Sequence, residues 1–223
     1  MKRLGFVVAM ILCISTLAIA QDFPKVEVFG GYSLLKSDTG VDTAEGLGGI
    51  DIPIPGLEGA NISNLNASNW QKKGFAASFT YNATSVFGIE GLVRYNTGNV
   101  LDLDVTVQGV TVPLEAKLKD LAVAAGPKFT FRNDSPVTPF AHALIGVDRM
   151  KIDVSASALG QSMAVEALSD NSFGLTLGGG IDVKVNDNFA IRLVQADYYM
   201  TRHFEDTQNN FALSFGVVLK FGK

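Results

Sequence analysis

Cysteine and histidine are nearly missing from this sequence. Its 223 residues include one cysteine and two histidines. Cys13, the single cysteine, lies in an N-terminal apolar run that we expect to be removed, and Met10-Ile11-Leu12 before it lacks the small residues of a lipoprotein cleavage site. The mature chain is therefore predicted to have no thiol, no disulfide and no lipid anchor.

Basic clusters and long apolar runs are also missing. Lysine and arginine number 18 against 22 acidic residues, which gives a net charge of −4. An acidic chain without a basic cluster has little electrostatic attraction for DNA or RNA, so we expect no nucleic-acid partner. After Ala20 no stretch reaches the roughly 18 apolar residues of a spanning helix. If the mature chain crosses a membrane, it does so as a closed barrel, the only other structure that satisfies every backbone group in lipid.

The N-terminus has the pattern of a secretory signal. Two basic residues follow Met1, residues 4–17 form an apolar run, and Ala18-Ile19-Ala20 is a small-x-small cleavage site. We predict that residues 1–20 are a cleaved signal peptide and that residues 21–223 form one β-barrel domain. Cleavage removes two of the 18 basic residues, which leaves 16 against 22 acidic residues and a net charge of −6.

The last strand alternates strictly between bulky apolar and small or polar residues. Side chains on a strand point to opposite faces in turn, so one face of this strand is apolar over the roughly 9–11 residues that cross a bilayer. We expect that face to contact lipid. The apolar positions are Phe211, Leu213, Phe215, Val217, Leu219 and Phe221.

Similar alternation recurs along the chain and predicts about eight strands. The predicted strands are 26–34, 74–81, 86–95, 121–131, 138–151, 172–183, 189–200 and 211–221. The fold class predicted from them is all-β, an antiparallel up-and-down transmembrane barrel of about eight strands.

The predicted connections alternate between short and long. Tight turns at 82–85, 133–136 and 186–188 are separated by longer links at 36–73, 96–120, 152–171 and 201–209. Short periplasmic turns and longer external loops give that order. Alternation continues through 100–118 and 150–165, so we expect hairpins that extend above the membrane. Only the first link, which contains Pro53 and Pro55, is predicted to be irregular.

Two positions conflict with a regular ladder. Pro127 lacks a backbone donor inside the fourth strand, so a bulge or other irregularity is expected there. In the seventh strand Arg192 and Asp197 fall on opposite faces, and one of them would face lipid. We predict a bulge between Leu193 and Ala196 that restores both charges to the interior.

Three segments of the sequence carry a resemblance to known proteins: Phe29-Gly30-Gly31-Tyr32-Ser33, Thr138-Pro139-Phe140-Ala141-His142 and the closing strand. They resemble the OmpA/OmpX-type outer-membrane β-barrel domain family. The resemblance covers the mature chain and implies a bacterial outer-membrane location, with the lipid of that membrane as a partner.

The closing strand is similar to the signal that the barrel-assembly machinery recognises in this class of protein. That signal has a polar residue, a glycine two positions later, then a hydrophobic residue and an aromatic one. The resemblance implies that Ser214, Gly216, Leu219 and Phe221 contact the machinery transiently. Here Gly222 and Lys223 continue beyond the aromatic residue, a departure from the pattern.

The predicted lumen face carries charges of both signs. Eight strands enclose a lumen that side chains can fill, whereas aqueous porin channels need about sixteen. The charges therefore form either an internal salt-bridge network or the lining of a narrow polar conduit. Their mixed signs favour the network. The residues are Glu90, Arg94, Lys128, Asp182, Arg192 and Lys220.

No enzyme is predicted. Lipid-A deacylases of similar size place a histidine and a serine two residues apart on one strand, but Leu144 follows His142 at that distance. His203, beside Glu205 and Asp206, fits a solvated loop tip better than a metal site. We expect no catalytic residue, cofactor or metal.

Several functions remain open from the sequence. The favoured hypothesis is a structural or adhesive barrel with a plugged polar lumen, whose loops bind an unknown extracellular ligand. The alternative is a narrow porin-like diffusion channel for small solutes. A lipid-modifying enzyme is disfavoured by the missing serine. A soluble lipocalin-like barrel would enclose an apolar cavity, whereas this one would enclose Glu90, Lys128 and Asp182.

Overall fold

The chain folds into antiparallel strands throughout the part that the computed structural model describes, which comprises residues 23–36, 61–67, 72–107, 110–158, 161–203 and 206–222. The predicted signal peptide, Pro53 and Pro55 lie outside these residues. Nine strands occur within them: β1 (Val26–Lys36), β2 (Asn61–Ala67), β3 (Lys72–Asn82), β4 (Phe87–Val107), β5 (Val110–Thr130), β6 (Val137–Ala158), β7 (Gln161–Asn186), β8 (Phe189–His203) and β9 (Asp206–Phe221).

Eight of the strands close into a barrel. β1 pairs with β3, each strand from β3 to β8 pairs with the next, and β9 returns to pair with β1 from Val26↔Phe221 to Lys36↔Phe211. β2 lies outside the ring and pairs with the far part of β4. The predicted eight-stranded antiparallel barrel is confirmed. The prediction of an irregular first link is wrong for Asn61–Ala67, which forms a strand.

The barrel has two different ends. At the terminal end lie the start of β1, the end of β9 and the tight turns that follow β3, β5 and β7. At the distal end β4 and β5 remain paired as far as Val107↔Val110, and β6 and β7 as far as Ala158↔Gln161. Both predicted hairpin extensions are confirmed. The link predicted at 201–209 is also largely paired, through Arg202↔Thr207 and His203↔Asp206.

The two predicted irregularities turn out differently. On β8 the register shifts between Arg192 and Gln195, where Leu193 and Val194 are both exposed while Arg192 and Gln195 are both buried. The predicted bulge is confirmed. At Pro127 the β5–β6 pairing lapses, but the register is the same on both sides, so the strand is irregular without a bulge.

Alternation produces an apolar outer wall. Along β3 the bulky apolar side chains of Phe75, Phe79 and Tyr81 are exposed, whereas Ala76, Ser78 and Thr80 between them are buried. A wall of this kind is stable in hydrocarbon and unfavourable in water. Exposed bulky residues on the other strands include Tyr32, Val93, Val123, Ile145, Val147, Phe173, Leu177, Ile191, Phe215, Val217 and Leu219. Among the described residues there is no helix long and apolar enough to cross a membrane.

Candidate functional site

The interior of the barrel holds most of its buried charge. Strand alternation, together with the bulge on β8, turns the buried polar side chains named below inward, and each is at most 4 % exposed. We call the following residues the interior network: Glu27, Glu90, Arg94, Lys128, His142, Asp182, Arg192, Gln195 and Asp197.

His142 occupies the centre of the network between two carboxylates. Its Nδ1 lies 3.1 Å from Glu90 Oε2, and its Nε2 lies 2.9 Å from Asp197 Oδ1. Arg94 donates to the other oxygen of Asp197, which also accepts a hydrogen bond of 2.8 Å from Gln195 Nε2. These contacts join β4, β6 and β8 across the interior.

Arg192 is enclosed by both charge and aromatic rings. It donates to the Asp182 carboxylate through Nε at 2.8 Å and Nη2 at 3.0 Å, and its Nη1 lies 2.6 Å from Gln195 Oε1. Its guanidinium carbon lies 4.2 Å from the ring centroids of both Phe29 and Phe140. Bidentate pairing and stacking on two rings use the planar geometry of arginine, which lysine lacks. Gln195 links this group to the one around His142.

A third group lies near the terminal end. Lys128 Nζ is 3.3 Å from both Glu27 Oε2 and Thr80 Oγ1, and 4.7 Å from the ring centroid of Phe140. Arg132 Nη2 donates to Glu27 Oε1 at 2.6 Å. Glu27, the carboxylate of this group, therefore faces two cations, which reduces the cost of burying it.

The distal part of the interior is polar but less charged. Tyr199 donates to Asp148, and the side chains of Ser33 and Asn96 are 3.2 Å apart. A small apolar cluster, which includes Phe29, Leu92, Leu144 and Val218, lies among the polar groups.

The six residues predicted to line the lumen differ in their burial. Lys220 is only half-buried and pairs in the ladder with Glu27 at the terminal end. The other five predicted residues are buried in the interior: Glu90, Arg94, Lys128, Asp182 and Arg192.

Sequence reasoning missed Glu27 and Gln195 and gave His142 no partners. Glu27 occupies an inward position of β1, so alternation alone could have found it. Gln195 turns inward only because of the β8 bulge. The contacts of His142 come from strands that are not its neighbours, and no local pattern encodes them.

The four residues of the predicted assembly signal lie on both faces of β9. Ser214 is buried, whereas Leu219 and Phe221 are exposed on the outer wall. Gly216 is paired with Gly31 where β9 meets β1, and a Cβ on Gly216 would come within 2.3 Å of Gly30 O. Glycine is therefore needed for the close approach of these strands.

A closed ring of eight antiparallel strands with an apolar outer wall and a charged interior defines a small transmembrane β-barrel. A family model, described as the outer membrane protein beta-barrel domain, matches residues 4–221. The chain belongs to this family and is an outer-membrane protein.

Several solved structures are similar to this chain. Ail, the attachment invasion locus protein of Yersinia pestis, is 18% identical, with 88% of this chain and 99% of that chain covered and a TM-score of 0.48. Neisserial surface protein A is 17% identical, with 90% and 100% covered and a TM-score of 0.47. OprG from Pseudomonas aeruginosa is 12% identical, with 91% and 98% covered and a TM-score of 0.48. No curated protein matches the chain.

Proposed function

We propose that this protein is a structural or adhesive outer-membrane barrel with a plugged lumen and an extracellular ligand that its distal hairpins bind. The observation that carries the proposal is the bridge from Glu90 through His142 to Asp197, which joins three strands across the interior. A solute that passed through would have to separate these groups.

The energetics of the network support a closed lumen. Breaking a buried ion pair by removing one partner typically costs about 3–5 kcal/mol. Arg192 would lose two carboxylate hydrogen bonds and two ring contacts if it moved aside. Eight-stranded barrels are also narrow enough for side chains to fill the interior.

One observation favours the alternative, a narrow diffusion channel. Glu90 Oε1 and Arg94 Nε are buried without a hydrogen-bond partner among the described residues. Such groups could contact a small polar solute. Conduction therefore has to be measured directly.

The deciding experiment is single-channel recording in a planar bilayer. The mature protein is inserted after a heat-dependent gel shift has verified that it is folded. We expect no discrete current steps, while a porin of about sixteen strands in the same bilayer gives clear ones. Discrete steps from the verified barrel would overturn the plugged lumen and make Glu90 and Arg94 candidate pore residues.

We propose no catalytic role for His142. A general base must reach the proton that it abstracts. Both ring nitrogens of His142 face carboxylates within 3.1 Å, which supports a structural role for this residue.

We also propose the route by which the chain reaches the membrane. Residues 1–20 would be cleaved as a signal peptide, leaving residues 21–223 as the barrel domain. The barrel-assembly machinery would then recognise Ser214, Gly216, Leu219 and Phe221. N-terminal sequencing of protein recovered from outer membranes should begin at Gln21, and a sequence beginning at Met1 would contradict cleavage.

A further inference from the structure

Basic residues cluster on the outer wall at the distal end of the barrel. On β3, β5 and β6 the outward residue on the distal side of the last bulky apolar residue is basic. Lys73 is distal to Phe75, Lys119 is distal to Leu121, and Arg149 is distal to Val147. Two outward positions on a strand are about 7 Å apart, so each basic group lies close to the edge of the apolar wall. We call Lys73, Lys117, Lys119, Arg149 and Lys151 the distal basic surface.

Strand pairing brings the five residues together. Lys119 is opposite Lys151, and Lys117 is opposite Asp153. Thr97 on β4 lies between Lys73 and Lys119. Because neighbouring strands are about 4.8 Å apart, the surface extends about 15 Å from β3 to β6.

Among the side chains that the structure describes, acidic residues offset only part of this charge. Asp153 accepts hydrogen bonds of 2.8 Å from both Lys119 and Lys151. Glu115 occupies the next outward position of β5 on the distal side of Lys117. Lys73, Lys117 and Arg149 are exposed and form no ion pair with the side chains that the structure describes.

The terminal end of the barrel differs. Its exposed lysines, Lys25 and Lys184, are accompanied by exposed Asp134 and Asp187, and Lys184 pairs with Asp187 at 2.7 Å. These four exposed charges sum to zero, whereas the five residues of the distal basic surface adjoin only two acidic side chains that the structure describes, Asp153 and Glu115.

We propose that the distal basic surface binds the phosphate groups of a phosphorylated lipid in the outer leaflet. The side chains point sideways from the barrel wall, at the height where head groups meet hydrocarbon. Lysine and arginine form charge-assisted hydrogen bonds with phosphate, and arginine can do so bidentately. A soluble partner approaching from above would meet the hairpins first. The inference depends on membrane insertion and not on whether the lumen is plugged.

The test measures retention of lipid by the folded barrel in detergent. Native mass spectrometry compares binding of lipid A, which carries two phosphates, with binding of phosphatidylcholine. The variant K117Q/R149Q removes two charges while Asp153 keeps both of its lysines. The control K25Q/K184Q removes two charges at the terminal end. A heat-dependent gel shift verifies folding of each variant.

We expect wild type to prefer lipid A and K117Q/R149Q to bind it about tenfold or more weakly, since each basic residue near a charged lipid surface contributes about 1 kcal/mol. K25Q/K184Q should bind as wild type does. Equal weakening in both variants would mean that only net charge matters, and it would overturn the proposal. Equal retention of phosphatidylcholine would also overturn it. Preference for a soluble heparin fragment over lipid A would assign the surface to a sulfated glycan instead.

A second measurement needs only the wild-type barrel. Amine-reactive labelling in bilayer nanodiscs should modify Lys117 several-fold more slowly when lipid A replaces part of the phosphatidylcholine, with Lys184 as the internal reference. Unchanged labelling of Lys117 would contradict the proposal even if the variants failed to fold. Neither measurement depends on conductance. A negative result would therefore overturn the lipid-binding proposal and leave the plugged-lumen proposal unchanged.

Discussion

At the residue scale, Gly178 is the position on which the centre of the interior network depends most directly. It lies on β7 and pairs with His142 on one side and Asp197 on the other. The hydrogen bond between His142 and Asp197 therefore passes over Gly178 from β6 to β8. A Cβ at this position would lie 2.1 Å from Asp197 Oδ1 and 2.8 Å from His142 Nε2. Only glycine leaves room for the bond.

We expect Gly178→Ala to lower the free energy of unfolding by about 1–3 kcal/mol, because the added methyl group forces the two side chains apart. Urea titration of the folded fraction, read from unboiled gels, measures this. Gly91→Ala is the matched control, since a Cβ there meets nothing within 4 Å. Equal effects of the two substitutions would show that loss of glycine itself, and not the network, determines stability.

Lys72 gives a residue-scale prediction about pH. It begins β3, distal to Phe75, so it lies beyond the apolar wall, and its side chain is fully buried. Burial lowers the pKa of Lys72 from 10.5 to about 8, although Asp120 partly opposes the shift. Between these two pKa values the folded protein holds fewer protons than the unfolded chain, so the free energy of unfolding rises with pH.

The wild-type barrel should therefore gain stability between about pH 8 and pH 10.5 relative to Lys72→Met, which has no group to titrate at this position. The measurement is the difference between the two urea midpoints as pH is raised. Parallel curves would mean that Lys72 keeps its ordinary pKa in the folded barrel.

At the scale of the element, β8 keeps its charges inside by means of one extra residue. Leu193 and Val194 both lie between Arg192, which pairs with Gly216, and Gln195, which pairs with Ser214. A bulge of this kind places two consecutive side chains on the same side of the sheet. The lipid-facing wall gains a residue, and the interior network keeps its register.

Deletion of Leu193 should therefore be tolerated, because regular alternation then places both Arg192 and Gln195 inside. Deletion of Val217 from the regular strand β9 should prevent folding, because all residues on one side of the deletion exchange faces. The heat-dependent gel shift after refolding in lipid vesicles distinguishes the two outcomes. A folded Val217 deletion, or an unfolded Leu193 deletion, would contradict this account of the bulge.

Strands whose residues alternate between apolar and polar could be predicted from the sequence. Elements whose position depends on pairing with a distant part of the chain could not. The hairpin extensions of β4–β5 and β6–β7 continue the local pattern of the strands below them. β2 is polar and short, and its place depends on the far part of β4, which no longer has β3 beside it. The contacts of His142 likewise depend on which inward residues the closed ring brings face to face. Sequence patterns indicate the face of a side chain, and closure of the barrel determines its partner.

At the scale of the whole molecule, the barrel and its distal hairpins carry separate tasks. β4 is 21 residues long, whereas about 9–11 residues cross a bilayer, so about half of this strand lies outside the membrane. The interior network lies entirely within the ring of eight strands. Folding and closure of the lumen should therefore not require the extensions.

Replacing residues 100–116 with Asn-Gly tests this separation. Asn99 and Lys117 are directly paired, so a two-residue turn can join them. The truncated chain should show the same gel shift as wild type and should stay silent in a planar bilayer, because the groups around His142 and Arg192 remain in place. Loss of folding would show that the hairpin helps to form the barrel. Current steps from the truncated barrel alone would show that the hairpin, and not the interior network, blocks the lumen.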